Sequence, residues 1–114
     1  MNYKTLSALL ANADTLDWQT ALYLPVDKSR WGLDCVAIVE NPDGFDDYDG
    51  DDNPVAISKL HYRYVVQCDD VQSVVLNLRE QCPAFDLHLA YRAFIFYLEN
   101  DAFIRIEPNR APSF

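Results

Sequence analysis

The sequence predicts an α+β fold: an antiparallel sheet of about four strands with three helices packed mainly on one face, in a single domain over 1–114. Three observations predict it. Two stretches, 71–78 and 87–98, carry apolar residues at helical spacing. Short runs rich in branched and aromatic residues, at 21–24, 33–39, 60–67 and 102–106, stop at prolines or acidic clusters as strands do. A chain of 114 residues that is 50% hydrophobic and 13% aromatic suits one core, with no room for a second domain.

Taken in order, Tyr3, Leu6, Leu9, Leu10 and Ala13 recur at helical spacing and predict a first helix that ends in the polar residues Asn12 to Asp14. Trp18 is read as a core or lid residue. Ala21-Leu-Tyr-Leu24 reads as a strand stopped by Pro25, because proline cannot donate to a ladder and restricts the residue before it. Residues 26–32 form a turn, and Leu33 to Val39 a strand. Leu60 to Gln67 alternates, with Leu60, Tyr62, Tyr64 and Val66 on one face, so the segment before it should join two neighbouring strands. Asp69 or Asp70 is placed to cap a helix whose Val71, Val74, Val75 and Leu78 make one stripe, ended by Pro83. Asp86 caps the next, in which Leu87, Ala90, Tyr91, Phe94, Tyr97 and Leu98 face inward and Asn100 suits a left-handed residue at the end. Ala102 to Ile106 reads as a last strand closed by Pro108, and Asn109 to Phe114 as a frayed tail.

The distinctive stretch is the acidic loop at 40–54. Glu40, Asp43, Asp46, Asp47, Asp49, Asp51 and Asp52 lie in it without a base, and without those seven the chain would have 11 acids against 9 bases rather than a net charge of -9. Such crowding costs self-repulsion and gives a core nothing, so the loop is either a solvated, disordered insert or a device for attracting cations. Phe45 and Tyr48, embedded among the carboxylates with Gly44 and Gly50 to permit unusual backbone angles, favour a partner-binding loop. Asp43, Phe45, Asp46, Asp47, Tyr48, Asp49, Asp51 and Asp52 are therefore the candidate partner-binding residues.

Composition excludes several classes. A sequence pI near 4.3 is unsuited to nucleic acid or to anionic membranes, and points to a basic protein partner. The chain shows no apolar run that could span a bilayer and no secretory signal at its start, so a cytoplasmic location is expected. Cys35, Cys68 and Cys82 are odd in number and outside any Cys-x-x-Cys pair, so they read as reduced thiols rather than disulfide or zinc ligands. His61 and His88 lack a partner pattern, and phosphate-cradle, nucleophile-elbow and zinc-protease motifs are missing; an enzyme is not expected, nor any cofactor. A calcium-loop register fails: with Gly50 at the turn, Phe45 takes the first ligand position and Ala56 the bidentate one. A non-standard calcium or magnesium site that orders an interaction module is the alternative reading, and an insert serving only solubility is a third.

Thr5-Leu-Ser-Ala-Leu-Leu-Ala-Asn-Ala-Asp14, Leu16-Asp-Trp18, Ala21-Leu-Tyr-Leu-Pro25 and Asn100-Asp-Ala-Phe-Ile104 together resemble small uncharacterised bacterial proteins, some of which are similar to the immunity partners of toxins used between competing bacteria. The resemblance implies a role, binding and neutralising a cognate toxin, and carries over no site residue. Toxins that cut nucleic acid present basic clefts, which an acidic plug with aromatic anchors could occlude.

Overall fold

The computed structural model describes residues 1–106. Its centre is β2 (Ala21–Pro25), buried along its whole length, as its apolar run requires. The other strands are β1 (Tyr3–Thr5), β3 (Val36–Glu40) and β4 (Tyr62–Gln67), and all pair antiparallel in the order β1-β3-β2-β4. The helices are α1 (Leu6–Ala11), α2 (Val55–Ser58), α3 (Cys68–Gln81) and α4 (Leu87–Asn100).

Alternation along the strands makes two unequal cores. Leu22 and Leu24 of β2, Ala37 and Val39 of β3 and Val66 of β4 face α1, α3 and α4. Leu6, Leu9 and Leu10 of α1 and the predicted stripe of α3 are buried there, and Ala90, Ala93 and Phe94 of α4 complete the cluster. The opposite face gathers Ala21, Tyr23, Ile38 and Tyr62 under Ile57 of α2, with Phe45 packed beside them. Asp86 caps α4 as expected, its carboxylate accepting the Leu89 N–H at 2.8 Å.

Several expectations are corrected. Tyr3 to Thr5 pair with β3 instead of starting a helix; Thr5 is the cap of α1, its hydroxyl accepting the Ala8 N–H. The third helix starts at Cys68, so Asp69 and Asp70 lie in its first turn, where they complement the helix dipole without capping it. The left-handed residue after α4 is Asp101, with φ 52°, one position beyond Asn100. Ala102 to Ile106 form no strand: the Gln81 side chain binds them, donating to the Ile104 carbonyl and accepting the Ile106 N–H, each at 2.8 Å. Pro108 and the tail lie outside the described residues. In β4 the alternation breaks at a bulge, where Leu22 faces Val66 but Tyr23 faces Tyr64; Val66 thus turns to the helices while Tyr62 and Tyr64 turn away.

The acidic segment does not join neighbouring strands. β3 and β4 lie on either side of β2 and, being antiparallel to it, run the same way, so their link must cross a face of the sheet. It crosses the face without α1, α3 and α4, which places it over the small core.

Candidate functional site

The crossover is an ordered strap, built from its own polar side chains. Asn41 starts it, its side-chain oxygen Oδ1 accepting the Asp43 N–H at 2.9 Å to cap a 3-10 turn over Pro42–Gly44. Phe45 then drops toward the sheet, its ring edge-to-face with Tyr23 at 6.0 Å. Tyr48 bridges to Pro54, and its hydroxyl donates to the Pro42 carbonyl, tying the two ends of the strap. Asp49 organises the next turn: one oxygen accepts the Asp51 and Asn53 N–H groups at 2.9 and 3.1 Å, and the other the Ser58 hydroxyl. These hydrogen bonds, the Ser58 hydroxyl first, hold the Asp49 carboxyl below its ordinary range.

Asn53 fastens the strap to the sheet. It is the buried polar residue here, at 8% exposure. Its side-chain oxygen Oδ1 accepts the Tyr64 N–H at 2.9 Å, and its side-chain nitrogen Nδ2 donates to the Tyr62 carbonyl at 3.0 Å and to Ser58 Oγ at 2.7 Å. The amide stands in for a neighbouring strand's peptide group, so the strap covers part of the backbone of edge strand β4.

Of the candidate residues, Asp43, Asp46, Asp47, Asp51 and Asp52 are exposed, while Asp49 is half-buried and its carboxylate is engaged within the strap. Phe45 is half-buried and faces the sheet; Tyr48 is 45% exposed. Neither glycine takes the unusual backbone angle expected of it: the left-handed residue of the strap is Asp52, with φ 61°. His61, expected on a strand, occupies a turn after α2, also at φ 61°.

Two hollows flank the strap. The larger, about 700 Å³, lies between the strap and β4 and is walled by Tyr23, Tyr48, Tyr62 and Tyr64, with Asp51 and Asp52 on the strap side. The smaller, about 390 Å³, is lined by Trp18 and Asp43 among others; Pro42 and Gln67 line both, so the hollows adjoin. Trp18 is 66% exposed and therefore no core residue. Sequence reasoning missed Trp18, Tyr64 and Asn53 as parts of this surface. A signal for Trp18 existed, since it stands between Asp17 and Gln19 outside any apolar stripe.

Burial is the main cause that pushes the Tyr23 phenol up to about 12, with Tyr48, Tyr64 and Glu40 adding to it. Burial likewise raises the Tyr62 and Tyr64 phenols and the Cys35 and Cys68 thiols. All three cysteines are free. Among the described residues no three Asp, Glu, His or Cys side chains come together as a metal-binding group, and no helix is long and apolar enough to cross a membrane. The strap and its border thus present exposed carboxylates beside the exposed rings of Trp18 and Tyr48.

Residues 3–106 match the family model described as a domain of unknown function, DUF7716. No curated protein and no solved structure matches the chain.

Proposed function

The chain belongs to the DUF7716 family, and from that premise we propose that it is a non-catalytic binding protein whose acidic strap docks on a basic protein partner. In its most specific form the proposal is an immunity-type role, in which the partner is a toxin domain and the strap occludes its basic cleft. The observation that carries the reading is the combination, on one ordered segment and its border, of exposed Asp43, Asp46, Asp47, Asp51 and Asp52 with exposed Trp18 and Tyr48. Carboxylates steer a basic partner and raise the association rate, while tryptophan and tyrosine supply the contact area that slows dissociation. Because Asp49, Asn53 and Phe45 already hold the strap in place, little ordering entropy is lost on docking. The reading assigns binding to Trp18 and Tyr48, and assigns Phe45 to holding the strap.

The experiment is co-expression with the product of the neighbouring gene at the native locus, followed by co-purification through a salt series. A neighbour that is toxic alone, harmless together and held in a salt-sensitive complex supports the proposal. Replacing the five exposed aspartates by asparagine should then slow association and flatten its salt dependence. A harmless neighbour with nothing co-purifying counts against the immunity role, and equal association rates for parent and variant at low salt would dismiss steering by the strap.

A further inference from the structure

The larger hollow is lined by a residue whose polar group is not used by the fold among the described residues. Tyr23 is 1% exposed, and its hydroxyl forms no hydrogen bond with a described residue. Among the described residues, no buried side-chain polar atom is both sealed from solvent and without a partner. The Tyr23 hydroxyl is therefore not sealed from solvent among the described residues, and Tyr23 lines the larger hollow. Tyr62 makes a useful contrast, since its hydroxyl donates to the Val36 carbonyl at 2.8 Å and is consumed by the fold. A phenol held neutral at the floor of a cleft can both accept and donate, and leaving it unpaired is costly.

The walls and rim define what it suits. The Tyr64 ring, 42% exposed, is the aromatic wall, and it meets the buried Tyr23 ring edge to face at 6.1 Å and 73°. Asp51 and Asp52 line it from the strap, and His61 and Arg63 line it at the start of β4, where Arg63 also borders another hollow on the helix side. The volume of about 700 Å³ is far larger than a metal ion requires and falls in the range that holds an organic group. We infer that this cleft receives an arginine side chain of the protein partner, its guanidinium bonded to the Tyr23 hydroxyl and the strap carboxylates and set against the Tyr64 ring. Guanidinium suits the site better than ammonium: it is planar, weakly hydrated, stacks on aromatic rings, and carries donors pointing to several separate acceptors. The occupant's source rests on the partner-binding reading above; the chemistry of the cleft does not.

The test uses the full chain and acetyl-arginine amide as the probe, with acetyl-citrulline amide as its neutral isostere, followed by NMR of the tyrosine rings and nearby amides. The arginine probe should saturate and shift Tyr23 and Tyr64 signals, binding about tenfold more tightly than the citrulline probe, the change expected when a charge-assisted hydrogen bond is lost. Tyr23→Phe, which keeps the ring, should weaken the arginine probe by a similar factor. Arg63→Gln should strengthen it, because a cationic residue lining the cleft is removed. Equal binding of the two probes, no effect of Tyr23→Phe, or weaker binding by Arg63→Gln would each overturn the inference, the last by marking the cleft as an anion site. If the arginine probe fails while a salt-sensitive complex with a basic partner still forms, the cleft assignment falls and the strap reading stands. If the probe binds but no basic partner is held, the reverse holds.

Discussion

On one face of the sheet, Leu22, Leu24, Ala37, Val39 and Val66 meet three helices through aliphatic and aromatic side chains. On the other, Ala21, Tyr23, Ile38 and Tyr62 meet Ile57 and Phe45, and the strap above them is held by the side chains of Asn53, Asp49, Tyr48 and Ser58. The first face is closed by burial, which is non-directional and summed over many contacts; the second is closed largely by a few directional hydrogen bonds. A strap crowded with carboxylates could not be fixed by burial, since its charged groups must stay in water. Side chains that bond backbone groups can order it and leave the carboxylates outside. The acidic surface and its order thus come from different residues, and they can be separated by substitution.

The sharpest separation should come from the large core. Phe94→Ala removes a ring that is 1% exposed from the cluster between α4 and the sheet, and should cost about 3–5 kcal/mol. It should lower the denaturant midpoint of the whole domain and leave the local opening of the strap unchanged. Next in size is Asn53→Ala, which leaves the Tyr64 N–H and the Tyr62 carbonyl without their partner and should cost about 1–3 kcal/mol. Hydrogen exchange distinguishes the two. With Asn53→Ala the Tyr64 amide should lose protection while amides of β2 keep theirs; uniform loss across the sheet would mean that the two faces are one cooperative unit.

Legibility in the sequence follows the same division. The stripe of Val71, Val74, Val75 and Leu78 and the cap at Asp86 were readable because helical burial repeats on a fixed period and capping is local. Strand order was not, because periodicity reports which face is buried and not which strand is beside which; the placing of β2 between β3 and β4 turned a supposed hairpin-like loop into a crossover. The bulge between Leu22 and Tyr23 shifted the pairing with β4 and so set Val66 on a different face from Tyr62 and Tyr64. The apolar run 102–106 looked like a strand, yet a single glutamine side chain, Gln81, takes the place of a neighbouring strand. Asn53 was missed for a related reason. Its partners, Tyr62 and Tyr64, are distant in sequence, and an asparagine before a proline reads as a turn residue. The candidate aspartates were found by composition, which locates charge but says nothing of which carboxylate turns inward, as Asp49 does.

The smallest expected effect, and the most local, is titration of Asp49. Its folded-state pKa lies below the ordinary value of 3.8 because the Ser58 hydroxyl and the Asn53 and Asp51 amides bond the charged form. A group depressed on folding contributes stability that is fully present above its unfolded pKa and is lost as pH falls through the folded one. The strap should therefore stay closed at neutral pH and loosen only on acidification below about pH 4. The measurement is the pH dependence of amide protection at Asp51 and Asn53, compared between the parent and Asp49→Asn. The variant lacks the titrating carboxylate, so its strap should be looser at neutral pH and nearly indifferent to this acid step. If both proteins open together at the same pH, repulsion and protonation among the exposed aspartates governs the strap, and the Asp49 turn is a consequence of the closed state rather than a cause of it.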